Sequence, residues 1–96
     1  MTVYAIAQLK FTDRAAHYRY QATFMEIFRQ HPATLLAADE SPQVVEAHWD
    51  REKAVLMSFP DEVACRDLAR SPEYQHISKD RLAGADTLVL LAKGLQ

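Results

Sequence analysis

Three runs of consecutive apolar residues, Val3-Tyr4-Ala5-Ile6-Ala7, Ala54-Val55-Leu56-Met57 and Leu88-Val89-Leu90-Leu91-Ala92, constrain most what this chain folds into. Side chains alternate between the two sides of a sheet, so strands built from these runs are apolar on both faces, and both faces must be kept from water. A chain of 96 residues makes one domain, residues 1–96. A domain of that size buries roughly 60–65% of the surface its unfolded form exposes, which leaves too little chain to cover a sheet twice. The expected cover for the second face is another copy of the chain.

Composition removes several classes of function. With 49% hydrophobic and 25% charged residues the chain is an ordinary globular one, neither disordered nor membrane-embedded. Eleven basic and thirteen acidic residues leave a net charge of −2, and no basic stripe is present to displace counterions from a phosphate backbone, so nucleic acid is not an expected partner. No leader pattern and no apolar run long enough to span a bilayer occur, which points to a cytoplasmic protein away from membranes. The single cysteine, Cys65, rules out an intrachain disulfide or a Cys-x-x-Cys pair and reads as a small packing residue.

Val3 to Leu9 reads as a strand, and Asp13 stands where a helix N-cap belongs, before a stretch free of Gly and Pro up to Pro32. At 100° per residue His17, Tyr20, Phe24, Ile27, Phe28 and His31 share one face of that helix, while Tyr18 and Ala22 point away. Ala33 to Ala38 form a second strand. Gln43 to Trp49 alternates, with Val45, Ala47 and Trp49 on one side and Glu46, His48 and Asp50 on the other, which predicts an edge or extension strand. Asp50-Arg51-Glu52-Lys53 reads as a polar turn, Ala54 to Phe59 as the next strand, and Asp61 as the cap of a helix over 62–70 with Ala64, Cys65 and Leu68 inward. Ser71-Pro72-Glu73 opens a short third helix ending near Gly84, and Thr87 to Lys93 is the last strand. This order predicts an α+β fold, a ferredoxin-like βαββαβ sandwich with an antiparallel sheet and helices on one side. Two copies packed sheet against sheet then form a dimeric α/β barrel.

Candidate chemistry is sparse. His17 and His31 lie fourteen positions apart, roughly 21 Å along a helix, and cannot share a metal ion. Either can serve as a proton shuttle, and they are the candidate catalytic bases. Glu46, His48 and Asp50 would line one strand face with donors suited to a divalent transition metal, a pattern that an outer solvated strand also gives, and no metal site is assigned. Tyr74, Ile77 and Arg81 share a face of the third helix, so a phenol and a guanidinium look the same way, toward an anionic ligand or an acid across a dimer interface. Trp49 and Arg51 form a second aromatic and cationic pair. With glycine only at positions 84 and 94 no loop cradles phosphate, and no cofactor is expected. Neither a Gly-x-Ser-x-Gly elbow nor a histidine near Cys65 in sequence supports nucleophilic hydrolysis.

Tyr4-Ala5-Ile6, Asp13 with Tyr20, Val45-Glu46 with Trp49, Phe59-Pro60, Ser71-Pro72-Glu73-Tyr74-Gln75, Arg81 and Lys93-Gly94 together resemble the domain-of-unknown-function family thirteen-thirty. The resemblance spans nearly the whole chain, and Ser-Pro-Glu-Tyr-Gln is its most specific element. It implies membership of the dimeric α/β-barrel superfamily, with a cleft between sheet and helices. The chain departs from the family pattern at His31-Pro32-Ala33, Ala37-Ala38 and Leu68-Ala69. Relatives in that superfamily include cofactor-free monooxygenases of aromatic polyketides or quinols and haem-degrading enzymes that use an Asn, a Trp and a His, whereas this chain contains no asparagine. The residues matching the family pattern and expected to line the cleft are Tyr20, Glu46, Trp49, Tyr74 and Arg81. The leading expectation is a homodimer, joined through its sheet face, that binds a small organic molecule in the cleft. The alternatives are a cofactor-free monooxygenase acting on a phenol or quinol through His17, and a structural or interaction module without a pocket.

Overall fold

The computed structural model describes residues 1–95. Val3–Phe11 form β1, followed by α1 (Arg14–Phe28), β2 (Thr34–Asp39), β3 (Lys53–Phe59), α2 (Glu62–Arg70), α3 (Pro72–Gly84) and β4 (Ala85–Lys93). The strands make one antiparallel sheet in the order β2-β3-β1-β4, the ferredoxin-like arrangement expected of the sequence. The sheet is open, with β2 and β4 as its two edges, so one copy of the chain does not close a barrel.

Each helix begins where its cap residue dictates. The side chains of Asp13, Asp61 and Ser71 accept from the backbone N–H groups of Ala16, Ala64 and Tyr74 at 3.2, 2.8 and 3.2 Å, satisfying donors that a helix N-terminus otherwise leaves unpaired. Pro72 adds a preset φ at the start of α3. That helix is not short: at 13 residues it outruns the 9 of α2, because nothing between Pro72 and Gly84 breaks it.

The pleat sorts the sheet into two faces. Val3, Ala5, Ala7 and Leu9 of β1 point toward the helices and are 4 to 9% exposed, while Tyr4, Ile6 and Gln8 point to the other side. Register extends each set sideways. Ala7 stands opposite Val55 and Val89 on the helix side, and Ile6 stands opposite Leu56 and Leu90 on the open side. The core is Val3, Ala5 and Phe59 packed against Ile27 and Phe28 of α1, Ala64 and Leu68 of α2 and Ile77 of α3. The inner stripe predicted for α1 holds from His17 to Phe28, with Tyr20 and Phe24 packed against this cluster and Tyr18 exposed, but the helix ends at Phe28, short of Pro32, and leaves His31 outside it. The helices roof the central strands only. Val89 and Leu91 of β4, on the helix side by register, are 54 and 42% exposed, so the edge strands are open on both faces.

Gly84 sets how closely α3 approaches α1. A Cβ there would lie 2.5 Å from the backbone N of His17, and the Gly84 carbonyl accepts from Thr12 and Asp13 at 3.0 and 3.1 Å. A residue with a side chain would push apart the two helices whose facing sides roof the sheet.

Two readings of the segment between β2 and β3 are corrected. No strand forms over 43–49, and Ala47 sits at φ 65°, which turns the chain instead of extending it. Val45, Ala47 and Trp49 join no ladder, although the outer edge of β2 is unpaired, because the chain turns at Ala47 before an extended run can lie along it. Lys53 is not part of a solvated turn. It opens β3 opposite Leu9 and is 3% exposed.

Candidate functional site

A cleft of about 210 Å³ lies between the helix layer and the sheet. Its floor is the helix-side row of each strand, including Ala5, Ala7, Val55, Met57 and Val89, and its roof comes from Tyr20, Phe24 and Met25 of α1, Leu68 and Ala69 of α2 and Tyr74 and Arg81 of α3. Its presence removes the condition under which a purely structural module was the expected reading. The walls are almost wholly apolar. Tyr20, Phe24 and Tyr74 form an aromatic cluster, with Tyr20 stacked on Phe24 at 5.5 Å and edge-on to Tyr74 at 6.4 Å between ring centroids.

Polar groups gather toward one end. Leu9 lies opposite both Lys53 and Thr87, so these two side chains flank it on the cleft side of the sheet. Lys53 Nζ donates to Gln21 Oε1 at 2.6 Å and lies 3.1 Å from His17 Nε2 and 3.9 Å from Glu40 Oε2. Both His17 and Lys53 are 3% exposed. Burial, reinforced by the neighbouring ammonium, pushes the His17 pKa down, and burial likewise lowers that of Lys53, with Glu40 opposing it. The pair is therefore an ammonium donating to a neutral imidazole, with the His17 proton on Nδ1 and the Nε2 lone pair turned to Lys53.

Glu40 ties this pair to the surface. Tyr18 donates its hydroxyl to Glu40 at 2.7 Å and thereby holds the carboxyl below its usual range, and Arg14 lies 3.6 Å from Glu40 and 3.3 Å from Glu52. Glu52 in turn accepts from the backbone N–H of Phe11. Deeper in, burial pushes the Tyr20 hydroxyl far up, helped by the Tyr74 phenol, so it stays protonated at any physiological pH. Burial also raises the Cys65 thiol, keeping this half-buried wall residue protonated and inert.

Two polar atoms in the cleft have no hydrogen-bond partner among the described residues: Arg81 Nε and Thr87 Oγ1. Both are cut off from water. Buried donors are ordinarily satisfied, so an orphaned guanidinium N–H and an orphaned hydroxyl in one apolar cleft mark positions where an acceptor is wanted.

Of the five residues expected to line the cleft, Tyr20, Tyr74 and Arg81 meet there. Glu46 and Trp49 do not. Glu46 is exposed on the irregular segment, and Trp49 Nε1 donates to Gln8 Oε1 at 2.9 Å, on the sheet face away from the helices. The cause is the absent strand, without which nothing aims 46 and 49 inward. Of the two candidate bases, His17 is in the cleft, while His31 lies past the far end of α1 in a separate depression with Thr2, Ser58 and Pro60. Arg51, read as part of a polar turn and as the partner of Trp49, donates to the Asp86 carbonyl at 2.8 Å. Among the described residues no three His, Cys, Asp or Glu side chains cluster as a metal site, and Glu46, His48 and Asp50 share no strand. Ala38, Leu68 and Ala69 do line the cleft, so two of the three departures from the family pattern fall on its wall.

Lys53, Gln21 and Thr87 are site residues that the sequence reading missed. For Lys53 a signal existed: Phe59, Met57 and Val55 alternate inward, and two steps further back the same parity reaches Lys53. A charged residue at an inward position is the mark of a functional group.

Among known proteins, the family model described as Domain of unknown function (DUF1330) matches residues 2–95. No protein of the curated set matches. Solved structures share the fold at low identity. A protein of unknown function from Rhodopseudomonas palustris superimposes with a TM-score of 0.85 at 14% identity over 99% of this chain and 83% of its own. A dimeric ferredoxin-like protein of unknown function from Jannaschia sp. CCS1 gives 0.81 at 16% over 98 and 100%. SnoaB, a cofactor-independent oxygenase from Streptomyces nogalater, gives 0.70 at 16% over 99 and 94%. At such identities the likeness is one of fold.

Proposed function

The chain belongs to the DUF1330 family of unknown function, and from that premise we propose that it binds a small, mostly apolar organic acid in the cleft between helices and sheet. The observation that carries this reading is the orphaned pair, Arg81 Nε and Thr87 Oγ1, set with Lys53 in an otherwise apolar cavity. A carboxylate or phenolate offers the acceptors these donors lack, and the aromatic cluster of Tyr20, Phe24 and Tyr74 suits a ring. Drug-sized pockets measure roughly 300–1,000 Å³, so a cavity of about 210 Å³ favours an occupant of one or two rings.

The test is a panel of aromatic and aliphatic carboxylates screened by ligand-observed NMR and calorimetry. The expected outcome is saturable binding to the wild type that falls about tenfold or more in Arg81→Met, since a charge-assisted hydrogen bond is worth about 1.5–3 kcal/mol. Equal binding by wild type and Arg81→Met, or none by the wild type, refutes the reading.

A second reading, a cofactor-free oxygenase of phenols or quinols, is favoured by His17, a neutral imidazole inside the cleft, and by the shared fold with SnoaB. His17 Nε2 faces Lys53, so as a base toward substrate it would first have to leave that hydrogen bond. Oxygen uptake with a quinol panel, lost in His17→Gln, is its test.

A second copy of the chain is the proposed cover for the open sheet face. Ile6, Leu56, Leu88 and Leu90 make that face apolar, and the Jannaschia relative is described as dimeric.

A further inference from the structure

Lys53 is hard to account for as a mere anion binder. An anion at the surface needs only a solvated ammonium, yet this one is carried on the first residue of β3 into a 3% exposed position on the floor of an apolar cavity. There it stands 3.1 Å from the ring nitrogen of a buried histidine and 2.6 Å from a fixed amide oxygen. The other three lysines, Lys10, Lys79 and Lys93, are exposed. Burying an ammonium costs several kcal/mol, and its hydrogen bonds here do not neutralise it: His17 and Gln21 are uncharged acceptors, and the nearest carboxylate, Glu40, is 3.9 Å away and 41% exposed. An amine so placed is suited to lose its proton, and a proton acceptor is already in contact with it.

We propose that Lys53 is an imine-forming amine, and that the cleft takes a small aldehyde or ketone whose carbonyl carbon is attacked by Lys53 Nζ with His17 Nε2 as the proton relay. This rests on the reading of the cleft as a site for a small organic anion and names the reacting group of that ligand. His17 Nε2 takes one proton from Nζ. The Nζ lone pair then forms the C–N bond while the carbonyl π electrons move to oxygen, and that oxygen takes a second proton from Nζ, giving a neutral carbinolamine whose nitrogen regains its lone pair. His17 returns its proton to the hydroxyl, which leaves as water as the remaining nitrogen lone pair closes the C=N bond and Nζ keeps one proton as an iminium. No external oxidant or reductant is involved. The groups that face this pair are Gln21 and Arg14 from α1, Glu40 from the segment after β2, and Tyr18, whose hydroxyl holds Glu40. The lowered pKa of both groups fits this role, since burial eases removal of a proton from the Lys53 ammonium and the neutral His17 imidazole is placed to take it.

The experiment uses para-formylbenzoate, whose carboxylate suits Arg81 and whose ring suits the aromatic cluster, with cyanoborohydride to trap the imine. Intact mass and peptide mapping are the readout. The expected result is one adduct, a gain equal to the aldehyde less one oxygen, mapped to Lys53 and formed about tenfold or more faster than on any other lysine, since only Lys53 lies in the cleft that holds the aldehyde and contacts the His17 proton acceptor. An excess of para-hydroxymethylbenzoate, which has the ring and carboxylate but no carbonyl, slows it. Lys53→Met removes the fast adduct, and His17→Gln slows the wild-type rate and moves its pH profile while leaving Lys53 the labelled residue. Saturable binding of para-hydroxymethylbenzoate together with label spread over Lys10, Lys79 and Lys93 overturns the role of Lys53 and leaves the binding reading standing. Binding of neither compound overturns both.

Discussion

Replacing Lys53 by Met should not weaken the fold, and this separates a functional lysine from a structural one. Lys53 is 3% exposed, and desolvating an ammonium to that depth costs on the order of 5 kcal/mol after relaxation. Its contacts with His17 at 3.1 Å and Gln21 at 2.6 Å return about 1.5–2 kcal/mol each, as hydrogen bonds from a charged donor. Glu40, at 3.9 Å and 41% exposed, adds less than about 1 kcal/mol because water screens it. The sum is close to balance, tilted against the charge. Met keeps the apolar stem, makes no demand for solvation and lies among Leu9, Val55 and the cleft wall. The expected change is between zero and a gain of about 2 kcal/mol, or up to roughly 8–15 °C in Tm for a domain of this size. Urea titration followed by far-UV circular dichroism at fixed protein concentration measures it, with an unchanged m-value as the check that only stability moved. The sign with pH is also fixed. The folded-state pKa of Lys53 lies below the ordinary 10.5, so between the two values the unfolded chain binds more protons at this site and wild-type stability rises with pH. The advantage of the variant should therefore be largest at neutral pH and shrink toward pH 10.5 and beyond. A loss of more than about 2 kcal/mol in Lys53→Met would refute the reasoning and make the lysine a structural pairing.

His17 carries the same argument at lower pH: its folded pKa is depressed below 6.5 by burial and by Lys53, so its contribution to stability is intact above that value and is lost as pH falls below it. His17→Gln should flatten the slope of stability between pH 7 and the folded pKa, and an unchanged slope counts against a buried neutral imidazole. Gly84→Ala should cost about 2–4 kcal/mol by forcing a methyl to within 2.5 Å of the His17 backbone, and a shift within 0.5 kcal/mol in urea unfolding would mean that α1 and α3 separate freely. Leu90→Arg, on the open side of β4 at 49% exposure, should yield a monomer by light scattering with near-native circular dichroism, and a dimer unaffected by that charge would place the interface elsewhere. Phe59→Ala, at 2% exposure in the core, should cost about 3–5 kcal/mol, and a smaller loss would show that the α1–β3 contact repacks.

Much of the fold was legible because its signals are local. Asp13, Asp61 and Ser71 announce three helix starts by what their side chains can accept, and each start is where the structure puts it. The apolar runs marked β1, β3 and β4, although β4, at the sheet edge, is open on both faces in one copy of the chain. The segment over 43–49 failed as a strand. Its alternation was real, but the chain turns at Ala47 and the segment pairs with neither open edge of the sheet. That failure took Glu46 and Trp49 out of the cleft, since both had been placed by the face of a strand that does not form.

What the sequence by itself determined was the order of the elements, the inner stripe of α1 and the direction in which Tyr20, Tyr74 and Arg81 point. Each follows from the fixed angular step of a helix or strand and from caps a few residues away. Only the tertiary structure decided that Lys53 would meet His17, 36 positions earlier, and that Arg81 Nε and Thr87 Oγ1 would lack hydrogen-bond partners among the described residues in the same cavity. Those meetings depend on register between β1, β3 and β4 and on how closely Gly84 lets α3 approach α1, quantities set by packing across the whole domain and carried by no single stretch of chain.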